Sequence, residues 1–242
     1  MLGIYHLIAL GLFLGFVALE ILLVAGGRRF PEVTNWRLKG SAFALLNFAI
    51  ATYAPLMWDS WLGAHRLVAA DSLPFWAQVA GGFLLLEAGI YAWHRTMHNT
   101  PPLWRWLHQM HHSAERVDVW GAFYFHPLDM IGWALLSSLV LVLGFGIGAE
   151  AAIVIAVLAT FCSIFQHANI RTPHWLGYIV TRPESHSAHH ERGIHGRNYG
   201  DVPWFDMLFG TFHNPRSFTG EVGFYQNGSK RIGAMLLGRE IA

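Results

Sequence analysis

The 242-residue sequence has very little charge. Only 13% of its residues are charged, against roughly 25% in typical soluble domains, while 54% are hydrophobic. The formal net charge is +1, and there is no run of lysines and arginines of the kind that follows a phosphate backbone. The composition therefore excludes a nucleic-acid-binding protein and indicates a membrane protein.

Cysteine is almost absent. The single thiol, Cys162, lies in an apolar run, so no intrachain disulfide can form, which is in keeping with a reducing compartment. Positive charge is also absent before the first apolar run, and that run is longer than the core of a signal peptide. The N-terminus is therefore predicted to be a retained membrane span.

Long apolar runs, by contrast, are abundant. Hydropathy predicts five membrane spans, at about residues 4–25, 41–62, 75–93, 131–148 and 151–167. The last two are the shortest, and the sequence leaves open whether they cross the bilayer or form a hairpin that only enters it. We predict an all-α, multi-pass protein with four to five membrane helices.

The basic residues predict the orientation of these spans. Every lysine and arginine except Arg66 falls in the first loop, in the third loop or after the last span. Five crossings place these segments on one side, which the positive-inside rule makes the cytoplasmic side. Tryptophans near the third span, such as Trp104 and Trp106, are interpreted as anchors at the level of the lipid headgroups.

Histidine is the residue in excess, with 15 copies. The pattern HxxHH occurs twice, at 108–112 and at 186–190, where chance predicts about 0.06 copies. A looser pair, His94 and His98, precedes both at a spacing of i, i+4. On a helix these spacings direct imidazoles from one face toward a common point, which is most simply a metal. All three motifs fall on the predicted cytoplasmic side, so we expect a histidine-rich helical cap there.

The number of histidines predicts two metals. Eight candidates are too many for a single four-coordinate ion, and the sequence lacks the Glu-x-x-His pairs of soluble di-iron bundles. Imidazole suits Zn, Cu, Fe and Ni, and affinity alone does not choose among them. A carboxylate-poor site favours a redox centre over one that generates hydroxide.

Several motifs resemble those of the fatty acid hydroxylase/sterol desaturase superfamily, whose members are integral-membrane non-haem di-iron oxygenases. They are HRTMH (94–98), HQMHH (108–112), HSAHH (186–190), NYG (198–200) and DMLFGT (206–211). The resemblance covers roughly residues 80–212. It implies that two iron ions activate O₂ for hydroxylation or desaturation of a lipid C–H bond. The iron ligands it implies are His94, His98, His108, His111, His112, His186, His189 and His190, with His167 of QHANI as a ninth.

The resemblance also sets expectations for domains and partners. We expect an N-terminal membrane hairpin at 1–75, the catalytic domain at 76–215 and a C-terminal tail at 216–242. The expected partners are a lipid substrate (sterol, hopanoid, carotenoid or acyl lipid), O₂ and a separate electron donor such as ferredoxin or cytochrome b5 with its reductase. A bacterial inner membrane is favoured over the endoplasmic reticulum, with the active site facing the cytoplasm.

Two positions depart from the family pattern. Phe205 stands directly before Asp206 where many members have Trp, and Phe125 stands before His126 where many have Arg. These departures concern contacts to the substrate and its headgroup more than the metal site.

Five further residues are candidates for supporting the metal ligands. Glu87 and His94 share a helical face, and a carboxylate in a span either supports the site or pairs with another helix. The others have equally plain alternatives in turns, caps and interfaces. The complete set of candidates is Glu87, His126, His195, Asn198 and Asp206.

Two other functions remain open from the residues alone. A zinc-dependent membrane hydrolase would need a carboxylate as general base, and Glu115 and Glu191 lie next to the histidine motifs. A metal or haem transporter would instead place ionisable residues at mid-span and show inverted repeats.

Overall fold

The structure, a computed structural model, describes residues 2–23, 27–28, 30–225 and 227–241. Arg29, one of the basic residues used for the predicted orientation, lies outside the described residues. Within the described ranges the chain is helical and forms no strand, apart from one isolated antiparallel bridge between Glu191 and Val222. The predicted all-α fold is confirmed.

Five helices are long and apolar enough to cross a membrane. They are Ile4–Leu22, Trp36–Met57, Phe75–Asn99, Pro127–Phe145 and Ala149–His167. The last has 19 residues and rises about 28 Å, close to the roughly 30 Å of a hydrocarbon core. The multi-pass prediction is confirmed, and both of the last two helices have the length to cross.

The helix ends differ from the hydropathy prediction. The second begins at Trp36 rather than 41, and the third continues to Asn99 rather than stopping at 93. Hydropathy averages discount polar residues at the end of a helix, whereas backbone hydrogen bonding carries the helix through them. His94 and His98 therefore lie within the last two turns of the third span.

The helices are numbered in chain order. The long ones are α1 (Leu2–Leu22), α2 (Trp36–Tyr53), α4 (Phe75–Asn99), α7 (Pro127–Ser138) and α8 (Ala149–His167). The short ones are α3 (Asp59–Ala64), α5 (Pro101–Leu103), α6 (Gln109–His112), α9 (Pro183–His189), α10 (Trp204–Phe209) and α11 (Ile232–Leu236). A π-helical turn, Trp104–His108, joins α5 to α6, and a second one, Leu139–Phe145, extends α7.

The bundle is closed at its histidine-bearing end by the segment 117–126. Helix α1 packs along α8, α2 along α7, and α4 against both α7 and α8. Val119, Ala122 and Tyr124 of the segment are completely buried between these helices. Near the end of α1, the carboxylate of Glu20 accepts hydrogen bonds from the backbone N–H groups of Val119 (3.0 Å) and Asn169 (3.2 Å). These bonds fix the ends of α1 and α8 to the buried segment.

The C-terminal residues fold back over α6. Met235 is fully buried against Met110, and the Gln109 side chain donates a hydrogen bond to the carbonyl of Arg239 at 2.9 Å. The segment predicted as a tail thus covers the helix that carries the second histidine motif. The domain boundaries themselves stay a prediction.

Candidate metal centre

The nine histidines predicted as ligands form two groups. Within each group, one ring nitrogen of every histidine lies within 4.8 Å of those of the others. The five-histidine group is His94, His98, His108, His112 and His189, and the four-histidine group is His111, His167, His186 and His190. The structure therefore brings together the residues of all three motifs and His167.

Helix geometry explains why each HxxHH motif serves both groups. At about 100° per residue, positions i and i+4 are about 40° apart, whereas i+3 points about 100° away from i+4. In the second motif the i, i+4 pair joins the five-histidine group and His111 joins the other. In the third motif the pair joins the four-histidine group and His189 joins the five-histidine group. Two copies of one short pattern thereby build two adjacent centres.

Local sequence places these helices at one end of the bundle. Pro101 disfavours helix at Thr100, so α4 ends directly after His98 and the chain turns back. The π-helical turn then ends at His108, and such turns are common where a helix carries a functional side chain. His167 occupies the last position of α8, opposite α9.

The ring nitrogens suit a cation at each group. Nε2 of His94 and Nε2 of His108 are 2.9 Å apart, and Nε2 of His186 lies 3.0 Å from those of His167 and His190. Nitrogens without a hydrogen-bond partner within the described residues include both on His98 and one each on His111, His112, His186 and His189. Buried polar atoms normally have partners, so facing imidazole nitrogens without them fit metal ligation.

Burial favours the neutral form, which binds metal, for histidines of the second and third motifs. Burial, with a smaller contribution from neighbouring histidines and against the opposing hydrogen bond to Arg197, lowers the pKa of His189 to about 3. Burial, followed by repulsion from adjacent histidines, also holds the pKa values of His111, His112 and His190 well below their usual range. These four imidazoles are therefore neutral at neutral pH.

Backbone carbonyls orient three of the rings through Nδ1. His94 donates to the carbonyl of Tyr199 at 2.7 Å, and His189 donates to that of Arg197 at 2.6 Å. His167 donates to the carbonyl of Ser163 at 2.7 Å. Each bond fixes the tautomer and leaves Nε2 for a metal.

A buried carboxylate orients a fourth ring. Nδ1 of His108 lies 2.8 Å from Oδ2 of Asp129, and both side chains are inaccessible to solvent. Sequence reasoning did not include Asp129. The available signal was its place in HPLD, where an acidic residue in the first turn of an apolar helix lies three residues after a histidine.

Asp206 and Asn198 support the loop that holds these ligands. The Asp206 carboxylate accepts hydrogen bonds from the backbone N–H groups of Tyr199 and Gly200, both at 2.8 Å. It thus fixes the residue whose carbonyl orients His94. The Asn198 amide donates to the carbonyl of Ser185, next to the third motif, at 2.8 Å.

The other three supporting candidates do not hydrogen-bond to the predicted ligands. Glu87 is fully buried and accepts a hydrogen bond from the backbone N–H of Val202 at 3.1 Å. Nδ1 of His126 accepts from the backbone N–H of Leu128 at 3.1 Å and thereby caps α7. The ring of His195 belongs to neither group, and its centroid lies 5.8 Å from that of His98.

Trp104 lies against the site. Its ring centroid is 5.0 Å from that of His98, 5.2 Å from that of His112 and 4.8 Å from that of His195. On the opposite side, the ring of Phe125 stacks on His111 at 4.2 Å. Aromatic rings therefore pack against both histidine groups.

The two carboxylates next to the histidine motifs lie outside both histidine groups. Oε2 of Glu191 pairs with Arg197 at 3.1 Å, and Oε1 of Glu115 accepts from the backbone N–H of Ser229 at 3.2 Å.

The sequence matches the family model described as fatty acid hydroxylase over residues 79–211. It is 33% identical over 182 residues to the ornithine lipid hydroxylase OlsE of Rhizobium tropici, covering 73% of this chain and 52% of the relative. It is 25% identical over 142 residues to the sphingolipid C4-hydroxylase sur2 of Schizosaccharomyces pombe, covering 57% and 48%. Identity to the Delta(7)-sterol-C5(6)-desaturase of Nicotiana tabacum is 31% over 137 residues, covering 54% and 48%.

The chain spans about half the length of the curated relatives it matches. No solved structure matches it. The family model covers more than half of the chain and includes all three histidine motifs. The chain belongs to the fatty acid hydroxylase family.

Proposed function

We propose that the chain is a membrane-bound non-haem di-iron oxygenase that hydroxylates or desaturates a lipid C–H bond, using O₂ and electrons from a separate donor protein. The observation that carries this proposal is the pair of adjacent, all-imidazole groups. Its relatives include hydroxylases and a desaturase of lipids, which supports oxygen chemistry over hydrolysis or transport.

The nine histidines would hold the two irons, five at one centre and four at the other. When bound, the irons supply one-electron and O₂ chemistry that no side chain of the protein provides. The protein contributes position, because buried hydrogen bonds to Nδ1 fix the rings of His94, His108 and His189. It also contributes a water-poor environment, because the rings of Phe125 and Trp104 cover the histidines.

A cavity beside α4 is the proposed approach for the lipid. It has a volume of about 630 Å³ and is lined by Tyr91, Arg95, Phe205 and Phe209, among others. Tyr91 lies in a membrane-spanning helix and its ring packs 6.0 Å from that of Tyr199, which in turn packs 5.6 Å from the ring of His94. A lipid can therefore enter from the membrane and stop one aromatic layer from the five-histidine group.

The substrate is proposed to be a polar lipid or a sterol. The relatives are named for an ornithine lipid, a sphingolipid and a sterol, and all of these reside in membranes. Since every basic residue except Arg66 lies on the predicted side of the histidines, the site is proposed to face the cytoplasm, most simply across a bacterial inner membrane.

The test is oxygen consumption by purified, iron-loaded protein supplied with a lipid extract, a ferredoxin, its reductase and NADPH. Oxidised lipid is identified by mass spectrometry. We expect His111→Ala to abolish both oxygen uptake and product, because His111 belongs to the four-histidine group. His65→Ala is the matched control, because His65 is exposed and belongs to neither group.

An unchanged product profile in His111→Ala would refute the oxygenase proposal. Lipid cleavage by zinc-loaded protein without oxygen uptake would refute it in favour of a hydrolase.

A further inference from the structure

A second cavity, separate from the approach to the histidines, lies between residues 27–31 and 218–227. Its volume is about 730 Å³, and none of the nine histidines lines it. Arg28 follows the end of α1 by six residues, and Arg171 follows the end of α8 by four. The cavity is therefore at the height where lipid headgroups meet the protein. Its charged lining residues are Arg28, Arg171, Arg192, Glu115 and Glu221.

Arg28 is held in place but keeps unused hydrogen-bonding capacity. Its guanidinium lies 5.3 Å from the ring centroid of Phe30 and 5.8 Å from that of Phe218. Its Nε donates to Oδ1 of Asn169 at 3.3 Å, whereas its buried Nη2 has no partner within the described residues. Burial lowers the pKa of Arg28 to about 10, so the side chain stays charged at neutral pH.

The other two arginines differ from each other. Arg192 is already paired, since its Nη1 donates to Glu221 at 2.5 Å and its Nε to the carbonyl of Gly223 at 3.1 Å. Arg171 is exposed and makes no hydrogen bond or ion pair to any described residue. Among the described residues that line the cavity, the arginines without an ion pair are therefore Arg28 and Arg171.

The same cavity has an unused acceptor. Oε1 of Glu115 accepts from the backbone N–H of Ser229 at 3.2 Å, but the buried Oε2 has no partner within the described residues. Glu115 also forms no ion pair with a described arginine or lysine. Buried polar atoms without partners are uncommon in native proteins. Here a donor, Nη2 of Arg28, and an acceptor, Oε2 of Glu115, both belong to residues that line one cavity, so a ligand that carries both a negative and a positive charge would satisfy them.

We propose that this cavity binds the zwitterionic headgroup of a membrane lipid, with an oxyanion at Arg28 and Arg171 and a primary ammonium group at Glu115. A lipid is favoured over a soluble zwitterion because the cavity adjoins the ends of two membrane helices. Its wall also includes the aromatic rings of Phe224 and Tyr225. The inference goes beyond the proposed function, since it needs neither metal nor oxygen chemistry.

The test is native mass spectrometry of the detergent-purified full chain, incubated with equal amounts of three lipids. Phosphatidylethanolamine offers an oxyanion and a primary amine, phosphatidylglycerol lacks the amine, and phosphatidylcholine has an ammonium that cannot donate a hydrogen bond. We expect phosphatidylethanolamine to be retained about tenfold more than the other two, in line with one charge-assisted hydrogen bond.

Two variants test the two charges of the headgroup separately. Arg171→Gln should lower retention of phosphatidylethanolamine and phosphatidylglycerol alike, by about tenfold. Because Arg171 is exposed and unpaired, this change leaves the fold intact. Glu115→Gln should reduce phosphatidylethanolamine to the level of phosphatidylglycerol. Arg216→Gln is the control, since Arg216 is exposed and does not line the cavity.

Equal retention of the three lipids by the wild-type protein would overturn the proposal. So would wild-type retention of both lipids in Arg171→Gln together with wild-type selectivity in Glu115→Gln. Free phosphoethanolamine that competes as well as the intact lipid would also overturn it, in favour of a soluble ligand. The assay measures binding alone, so its result is independent of whether the protein consumes oxygen.

Discussion

Asp129→Asn tests how strongly one buried carboxylate supports the proposed metal centre. Asp129 contacts Nδ1 of His108 at 2.8 Å, and both side chains are inaccessible to solvent. Asparagine has nearly the same shape and can still accept a hydrogen bond from the ring, so the substitution removes the negative charge and little else.

The magnitude follows from the type of hydrogen bond that is lost. A hydrogen bond to a charged group contributes about 1.5–3 kcal/mol and a neutral one about 0.5–1.5 kcal/mol, so the change costs about 1–1.5 kcal/mol. Since about 1.4 kcal/mol corresponds to a factor of ten, metal affinity should fall about tenfold. Loss of a side chain that hydrogen-bonds to a metal ligand typically lowers metal affinity 10–100-fold. Asp129→Ala leaves Nδ1 of His108 without an acceptor, so its metal affinity should fall by close to 100-fold.

The assay is iron retained per folded protein, by elemental analysis after titration with a chelator. His108 belongs to the five-histidine group, so we expect one iron to be released at about tenfold lower chelator concentration and the other to be unaffected. Asp118→Asn is the matched control, because Asp118 is equally buried but bonds to Trp36 and Arg116 instead of a histidine. If Asp129→Asn kept both irons with wild-type chelator sensitivity, or lost both together, the reasoning would be refuted.

Three further predictions concern the fold around the site. Gly40→Ala should lower the thermal midpoint of unfolding, since a Cβ there would lie 2.2 Å from a backbone oxygen of the buried segment 117–126 and overpacking costs about 1–3 kcal/mol. Asp201→Asn should stabilise the protein above pH 6 but not at pH 4, as measured by thermal unfolding across that range. Burial raises the pKa of this carboxyl to about 6, so between about pH 4 and pH 6 it ionises in the unfolded state before it does so in the folded state, and stability falls as the pH rises through that range. Asn198→Ala should reduce turnover and stability together, because two backbone carbonyls lose their donor.

For each of these three predictions, a specific result would contradict the reasoning. Gly15→Ala is the control for Gly40→Ala, because a Cβ at Gly15 has nothing within 4 Å; equal midpoints for the two variants would contradict the packing argument. A stability difference between wild type and Asp201→Asn that does not vary with pH would show that folding does not raise the pKa of Asp201. Full turnover in Asn198→Ala would show that its loop does not position the third motif.

The sequence predicted the metal-binding chemistry and the membrane class because both depend on patterns of residues that are close together in the chain. Five apolar runs of spanning length predict five helices, because a backbone N–H or C=O group without a hydrogen bond is costly in lipid and a helix pairs these groups within the segment. The HxxHH spacing predicts that imidazoles share a helical face, and eight candidate histidines predict two metals rather than one. His167 was found only through the resemblance to a family, since its spacing carries no signal of its own.

Other features depended on contacts between residues distant in the chain, which periodicity does not reveal. Asp129 lies 21 residues from His108, and the carbonyl of Tyr199 lies 105 residues from His94. Trp104 has the sequence character of an interfacial anchor, yet the turn after α4 places it against histidines. The segment 117–126 contains no spanning run but fills the end of the bundle.

Sequence alone thus determined eight of the nine side chains that could bind metal, because ligand type and helical spacing are properties of a few neighbouring residues. Only the tertiary structure decided how the nine histidines divide between two groups and which groups orient them. That division depends on the angle at which α4, α6, α8 and α9 meet, and those angles are set by packing across the whole bundle.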